Sequence, residues 1–192
     1  ASIRGGRPPH DPSSLADDPA ERPGSVARFL DDAEAAGKLD ATVAVGDADP
    51  APYTAVFLVG GHGTMWDFPD NAELGGLIRA VREAGGTVGA VCHGPAGLIA
   101  AKADDGASLV AGVRLNAFTD EEERQVGLAD TVPFLLESRL KELGARFEKS
   151  SPFRACAVHD QGFVTGQNPR SSRAVAERML DVIEDRRGAD AA

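Results

Sequence analysis

The stretch "GTVGAVCHGPAGLIA", residues 86–100, decides the fold. Residues 87–91 are a continuous run of β-branched and small residues, the pattern of a strand buried on both faces in a parallel sheet. Residues 95–101 read as a helix, with Pro95 in the first turn, where its missing N–H costs nothing. Cys92 stands at the corner, with Ala90 and Gly94 two positions to either side. A strand that turns sharply into a helix strains the residue at the bend and needs small neighbours for the backbone to pass. This is the spacing of a nucleophile elbow, with cysteine in place of serine. The following helix points its amide ends at the thiol, and those dipoles favour the reactive thiolate. A cysteine met at random is more often a small buried hydrophobe. The elbow spacing, the strand-to-helix context and the adjoining His93 reverse that balance here.

Outward from this corner, strands and helices alternate. In "YTAVFLVGGHG", residues 53–63, positions 55–59 form another buried strand that ends in a glycine loop. A helix over 73–84 comes next, with Leu74, Leu77, Ile78 and Val81 at helical spacing and Gly85 and Gly86 as its stop. Upstream, residues 25–36 read as a helix halted by Gly37, and 39–45 as a short strand. Residues 1–24 are rich in Pro, Gly, Asp and Ser, as in an extended surface segment. Downstream come a strand over 109–115, a helix over 132–143 with Gly144 at its C′ position, strands in "ARFEKS", "RACAVHD" and "GFVTG", and a helix over 171–185. The pattern predicts a single α/β domain over 1–192: a doubly wound, mostly parallel sheet with helices on both faces. Ligands bind such sheets outside the carboxyl ends of the strands, where two glycine-rich turns, 60–63 and 92–94, are expected.

Composition narrows the function. The chain has 192 residues and a formal charge of −10, an acidity that argues against nucleic acid and anionic membranes as partners. No apolar run approaches the length of a membrane span. Two cysteines make no disulfide framework, and a reduced, cytoplasmic setting is expected. With neither a CxxC pair nor an HExxH motif, no metal site is expected.

Other residues qualify the corner. His93 adjoins Cys92 directly and becomes a base only when a third group holds it over the thiol. "TDEEERQVG", residues 119–127, carries four consecutive acids; one turned inward would hold His93, while a solvated helix start explains the rest. "GGHG", residues 60–63, offers backbone amides for an oxyanion, or simply a tight turn. His62 reads as a substrate-facing residue or as a rim residue with no role. Trp66, Phe68 and Phe118 read as substrate-selecting rim residues or as packing. Cys156 reads as a core or sheet residue.

The ordered set "VGGHGTMWDFPDN", "AVCHGPAGL", "LVAGVRLNAFTDEEE", "VPFLLESRLKELGA" and "GFVTGQNPRSS" resembles the PfpI family of the class I glutamine amidotransferase-like superfamily, which includes the Parkinson-associated deglycase-like proteins. The branch it is most similar to holds glutathione-independent glyoxalase III and holding-chaperone proteins. The resemblance implies a flavodoxin-like sandwich with Cys92 as nucleophile and His93 as proton-transfer partner. It implies an orienting acid at Glu123, with Glu122 as the fallback, and an oxyanion hole from the amides of Gly61 and His93. It also implies a small 2-oxoaldehyde substrate such as methylglyoxal, D-lactate as product, no cofactor, and a homodimer.

Two departures from the family pattern stand out. Val59 replaces a proline before "GGHG". The first strand and helix of the family, which carry a glutamate beside the nucleophile, have no counterpart in this chain. Asp17, Asp18 and Glu21 are acidic, but nothing marks them as substitutes. The chain is therefore expected to be a portion of a longer product with exposed sheet edges, its missing part held in a separate N-terminal peptide or cut away; a natural start at Ala1 is the alternative. Three rival activities remain: a glutaminase-type amidotransferase, for which Asn168 stands where a late histidine is needed; a hydratase or biosynthetic enzyme on the same scaffold; and a redox sensor or holding chaperone without turnover.

Overall fold

The computed structural model describes residues 1–11 and 18–190, which fall into two units, Ala1–Asp49 and Pro50–Ala192. In the first unit the apolar positions after residue 23 form two helices rather than one: α1 (Gly24–Asp31) and α2 (Ala33–Asp40). Asp32 causes the break. It adopts an extended conformation, and its carboxylate accepts from the amides of Glu34 and Ala35, both at 3.0 Å. A side chain that caps so well competes with helix continuation. Gly37, read as a stop, lies inside α2. The strand expected over 39–45 is reduced to isolated bridges, Ser2 with Ala44 and Gly6 with Thr42, and then a 3-10 turn, Val45–Asp47. Asp18 accepts from the amide of Ala20 at 2.9 Å, and Glu21 ends a short 3-10 turn; Asp17 lies outside the described residues.

The second unit is an α/β sandwich of flavodoxin-like type. Its strands are β1 (Ala55–Leu58), β2 (Thr87–Val91), β3 (Arg114–Leu115), β4 (Arg146–Phe147), β5 (Ala157–Asp160) and β6 (Phe163–Gly166). The main sheet has the order β1-β2-β6-β5. The first three of these run parallel, and β5 joins β6 as an antiparallel edge. A separate parallel pair links β3 to β4. β2 is central and buried at every position, which is why its sequence shows no polar alternation.

The helices of this unit are α3 (Thr64–Asp67), α4 (Ala72–Glu83), α5 (Asp120–Gln125), α6 (Leu136–Glu142) and α7 (Ser172–Asp190), and helices lie on both sides of the sheet. Asn71 caps α4 through a 2.8 Å bond from the amide of Leu74. α7 packs on the face that carries Gly89 and Val164: Val164, Val175, Met179 and Val182 form one cluster, and a side chain at 89 would collide with Met179. No described helix is long and apolar enough to cross a membrane.

Several expected elements differ here: the strand in "ARFEKS" shortens to β4 and that in "RACAVHD" to β5. The helix over 95–101 is a wholly buried 3-10 turn, Gly94–Ile99. The strand over 109–115 shortens to β3, because Gly112 takes φ +74° and the amide of Val113 closes a turn onto the carbonyl of Val110. The helix over 132–143 starts at Leu136, because Leu135 is extended.

Gly94 fixes how tightly the elbow sits on β1: a Cβ there would fall on the carbonyl oxygen of Leu58. Gly94→Ala is expected to lower unfolding stability by about 1–3 kcal/mol through overpacking. In contrast, Gly76→Ala, where an added Cβ meets nothing, should raise it by about 0.5–1 kcal/mol. Urea titrations of the two variants check this.

Candidate active site

β1, β2 and β6 end side by side at Leu58, Val91 and Gly166, and the loops beyond these ends build the site. Cys92 comes first. Its φ is +61°, in the left-handed region that residues with a Cβ seldom occupy. Tertiary bonds hold it there: its amide donates to the Gly166 carbonyl at 2.9 Å, and its carbonyl accepts from the Phe118 amide at 2.9 Å. Gly60 must lack a side chain for the bend to form, since a Cβ would lie 2.6 Å from the Val91 oxygen. The Thr64 hydroxyl ties the glycine loop to the elbow, lying 2.8 Å from the Gly61 carbonyl and 3.1 Å from that of His93.

His93 is fully buried. Its Nδ1 lies 3.3 Å from Cys92 Sγ, and its Nε2 lies 2.7 Å from Glu123 Oε2. A nitrogen facing a carboxylate carries the proton, so Nε2 donates and Nδ1 is left to accept from the thiol. Two rings pack against it, Phe118 at 4.5 Å between centroids and His62 at 4.1 Å, both tilted.

The acids sit on α5, which Thr119 and Glu122 start with a capping box. Successive helical residues point about 100° apart, so Glu122 and Glu123 reach different partners. Glu122 turns back into the fold and accepts from the amide of Thr119 at 3.0 Å, the amide of Phe153 at 2.7 Å, Gln167 Nε2 at 3.0 Å and Asn168 Nδ2 at 2.8 Å. Glu123 faces the histidines: one oxygen meets His93, and the other meets His62 Nε2 at 2.9 Å. The acid joined to His93 is thus Glu123, and Glu122 is committed elsewhere. Buried Glu137 anchors the start of α5 by accepting from the amide of Asp120 at 3.1 Å and from Lys149 at 2.9 Å.

Burial sets the protonation states. It pushes the Cys92 thiol up to about 12; the negative charges of Glu122 and Glu123 add to this, and the His93 and Gly61 amides aimed at the sulfur only partly oppose it. The thiolate-prone sulfur expected from the helix dipole is therefore corrected. Cys92 is followed by a short 3-10 turn, Gly94–Ile99, rather than by an α-helix, and desolvation of a residue only 8% exposed outweighs its amides. Burial also lowers His93, outweighing the hydrogen bond to Glu123. Glu123 would be raised by burial, but its bonds from His93 and His62 hold it below the usual carboxylate range. At neutral pH the line reads thiol, neutral imidazole, carboxylate.

Gly61 aims its amide at the sulfur. His62 is a half-exposed partner of Glu123, a contact the sequence reading did not assign. Trp66 stands 54% exposed on α3, whereas Phe118 is buried against His93. Cys156 is half-buried just before β5. Sequence reasoning also missed Gln167 and Phe153. The first had a signal in the "GQNP" turn, which lies at the carboxyl end of a parallel strand; the second had none.

Comparison with known proteins agrees with this architecture. Residues 32–182 match the DJ-1/PfpI family. A probable glutathione-independent glyoxalase of Schizosaccharomyces pombe is 35% identical over 145 residues, which is 71% of this chain and 56% of that protein. The 24 kDa Rapid Encystment Protein of Francisella tularensis superposes with a TM-score of 0.88 at 34% identity, covering 93% of this chain and 78% of that one. Glyoxalase III of Candida albicans superposes with a TM-score of 0.79 at 29% identity, covering 86% and 72%. The chain thus spans little more than half the length of the first of these relatives.

A thiol with so high a pKa reacts in proportion to a small thiolate fraction, which grows tenfold per pH unit. In a Cys156→Ser background, alkylation of Cys92 by iodoacetamide is expected to speed up about tenfold per unit from pH 7 to 9. A plateau below pH 8 would contradict the burial argument.

Proposed function

The chain belongs to the DJ-1/PfpI family, and from that premise we propose that it is a cysteine-dependent, cofactor-free glyoxalase of the glutathione-independent type. It converts small 2-oxoaldehydes such as methylglyoxal to 2-hydroxy acids, with D-lactate as the product. The observation that carries this reading is the continuous line from Cys92 Sγ through His93 to Glu123, at 3.3 and 2.7 Å. Similarity to relatives named as glyoxalases supports the substrate class.

The chemistry derives from the resting states. His93 Nδ1 accepts the thiol proton as sulfur attacks the aldehyde carbon, so a free thiolate need never accumulate. Glu123 stabilises the imidazolium formed and fixes its orientation. The amides of Gly61 and His93, already aimed at the sulfur, receive the developing oxyanion. His93 gives the thiol-derived proton to the oxyanion, which leaves a neutral hemithioacetal and a neutral imidazole. His93 then takes the C1 proton and delivers it to C2, passing through an enediol to a 2-hydroxyacyl thioester. Water cleaves the thioester, releasing the hydroxy acid and returning the proton to sulfur. The net reaction adds one water to the 2-oxoaldehyde.

The rivals fare less well. A redox sensor wants an accessible, low-pKa thiol, and Cys92 is neither. An amidotransferase wants a late histidine at the nucleophile. Asn168 instead donates to Glu122, and His159 sits opposite Val164 in β5, toward the far end of the sheet from Cys92. On the same reading the protein is a cytoplasmic homodimer, a state that light scattering after gel filtration would check.

Incubation with methylglyoxal in the absence of glutathione is expected to yield D-lactate. Cys92→Ser should abolish turnover, and Glu123→Gln should reduce kcat by about 10²–10⁴-fold through loss of the oriented base. Absence of lactate from the wild type, together with suppressed aggregation of an unfolded client, would overturn the enzyme in favour of a holding chaperone.

A further inference from the structure

The second histidine suggests a property beyond turnover. One ligand atom from each of His62, His93 and Glu123 lies within 4.8 Å of the others, and both histidines turn Nε2 to the Glu123 carboxylate. Two imidazoles and a carboxylate are the donor set of three-ligand zinc sites, which leave a fourth position open. Zn–N and Zn–O bonds of about 2.0–2.2 Å place tetrahedral ligand atoms roughly 3.3 Å apart. Here each Nε2 already sits 2.7–2.9 Å from a Glu123 oxygen, so small movements suffice to admit an ion. There is also a way in: the His62 side chain is 34% exposed, whereas those of His93 and Glu123 are 0% and 3% exposed. An ion arriving from solvent meets His62 first and is passed to two desolvated ligands that already face it.

We propose that His62, His93 and Glu123 form a binding site for a divalent zinc-class cation, and that its occupancy silences Cys92. The silencing comes from the fate of one proton. A metal on His93 Nε2 displaces the proton there, and a neutral imidazole then carries it on Nδ1. Nδ1 is the atom 3.3 Å from Cys92 Sγ. It becomes a donor and can no longer accept the thiol proton. The ion also takes up the carboxylate that orients His93. Cys92 is not a ligand in this arrangement, which separates it from ordinary capture of zinc by a reactive thiol.

The test uses tag-free, chelator-treated full chain. Co²⁺ is the spectroscopic probe, and Zn²⁺ affinity is read by competition with a chromophoric chelator. One ion per chain is expected, with the visible absorption of tetrahedral Co²⁺. Cys92→Ala should bind as the wild type does. His62→Ala, at a half-exposed position, and Glu123→Gln should each weaken binding at least about tenfold, as loss of one of three ligands demands, with near-UV circular dichroism confirming the fold. Affinity unchanged in His62→Ala, or lost in Cys92→Ala, overturns the site. These binding readouts need no turnover, so they stand or fall apart from the proposed reaction. In the lactate assay, zinc at ten times its Kd should cut the rate about tenfold, by simple occupancy, and excess chelator should restore it; a rate indifferent to zinc overturns the inhibitory role.

Discussion

The left-handed bend at Cys92 is the constraint on which the site depends. A residue with a Cβ holds φ +61° only when its surroundings over-determine it. Here they do so from three directions. β6 accepts the Cys92 amide, the segment before α5 donates to the Cys92 carbonyl, and Gly60 and Gly94 clear the space on either side. The same contacts bring the ends of β1, β2 and β6 and the start of α5 to one point. The strain and the assembly of the site are therefore one event: the sulfur is aimed because the neighbouring elements are already in place.

Two adjacent acids on one short helix divide the work of building and reacting. Glu122 gathers donors from Thr119, Phe153, Gln167 and Asn168, so its negative charge is well solvated by the protein and joins three separate segments. Removing it would leave several buried donors unsatisfied, which costs far more than the net worth of any one bond. Glu123 is left free to face the histidines. Its position next to Glu122 means that the charge that shapes the loop and the charge that orients the base are set by a single helical turn.

Burial gives this site a resting state unlike that of an activated thiolate. With the sulfur protonated, His93 neutral and Glu123 ionised, charge develops only as substrate is attacked, where two amides and the carboxylate are already oriented to receive it. Preorganisation of this kind lowers the cost of the charged transition state without a charged nucleophile at rest. It also explains why His93 matters more than proximity in sequence suggests: its two nitrogens face the thiol and the acid at once, and whatever changes the proton on one nitrogen changes the function of the other.

Local chemistry determined much of this from the sequence. The unbroken apolar run of β2 marked a parallel sheet, because a strand buried on both faces has no polar alternation. The same pattern overstated the burial of residues 55–59, because β1 is an edge strand and leaves Phe57 and Val59 exposed. The Ala90–Cys92–Gly94 spacing marked the elbow, because only small neighbours let the chain turn there. The run of acids after Thr119 marked where an orienting carboxylate would come from. Tertiary structure decided the rest. Whether Glu122 or Glu123 meets His93 depends on helix phase and on donors from Phe153, Gln167 and Asn168, which lie 31 to 46 residues away. That His62 shares the acid depends on how the β1 loop folds over α5. The sulfur's protonation was misjudged from sequence because a helix dipole can be inferred locally, whereas desolvation is the sum of everything packed around an atom.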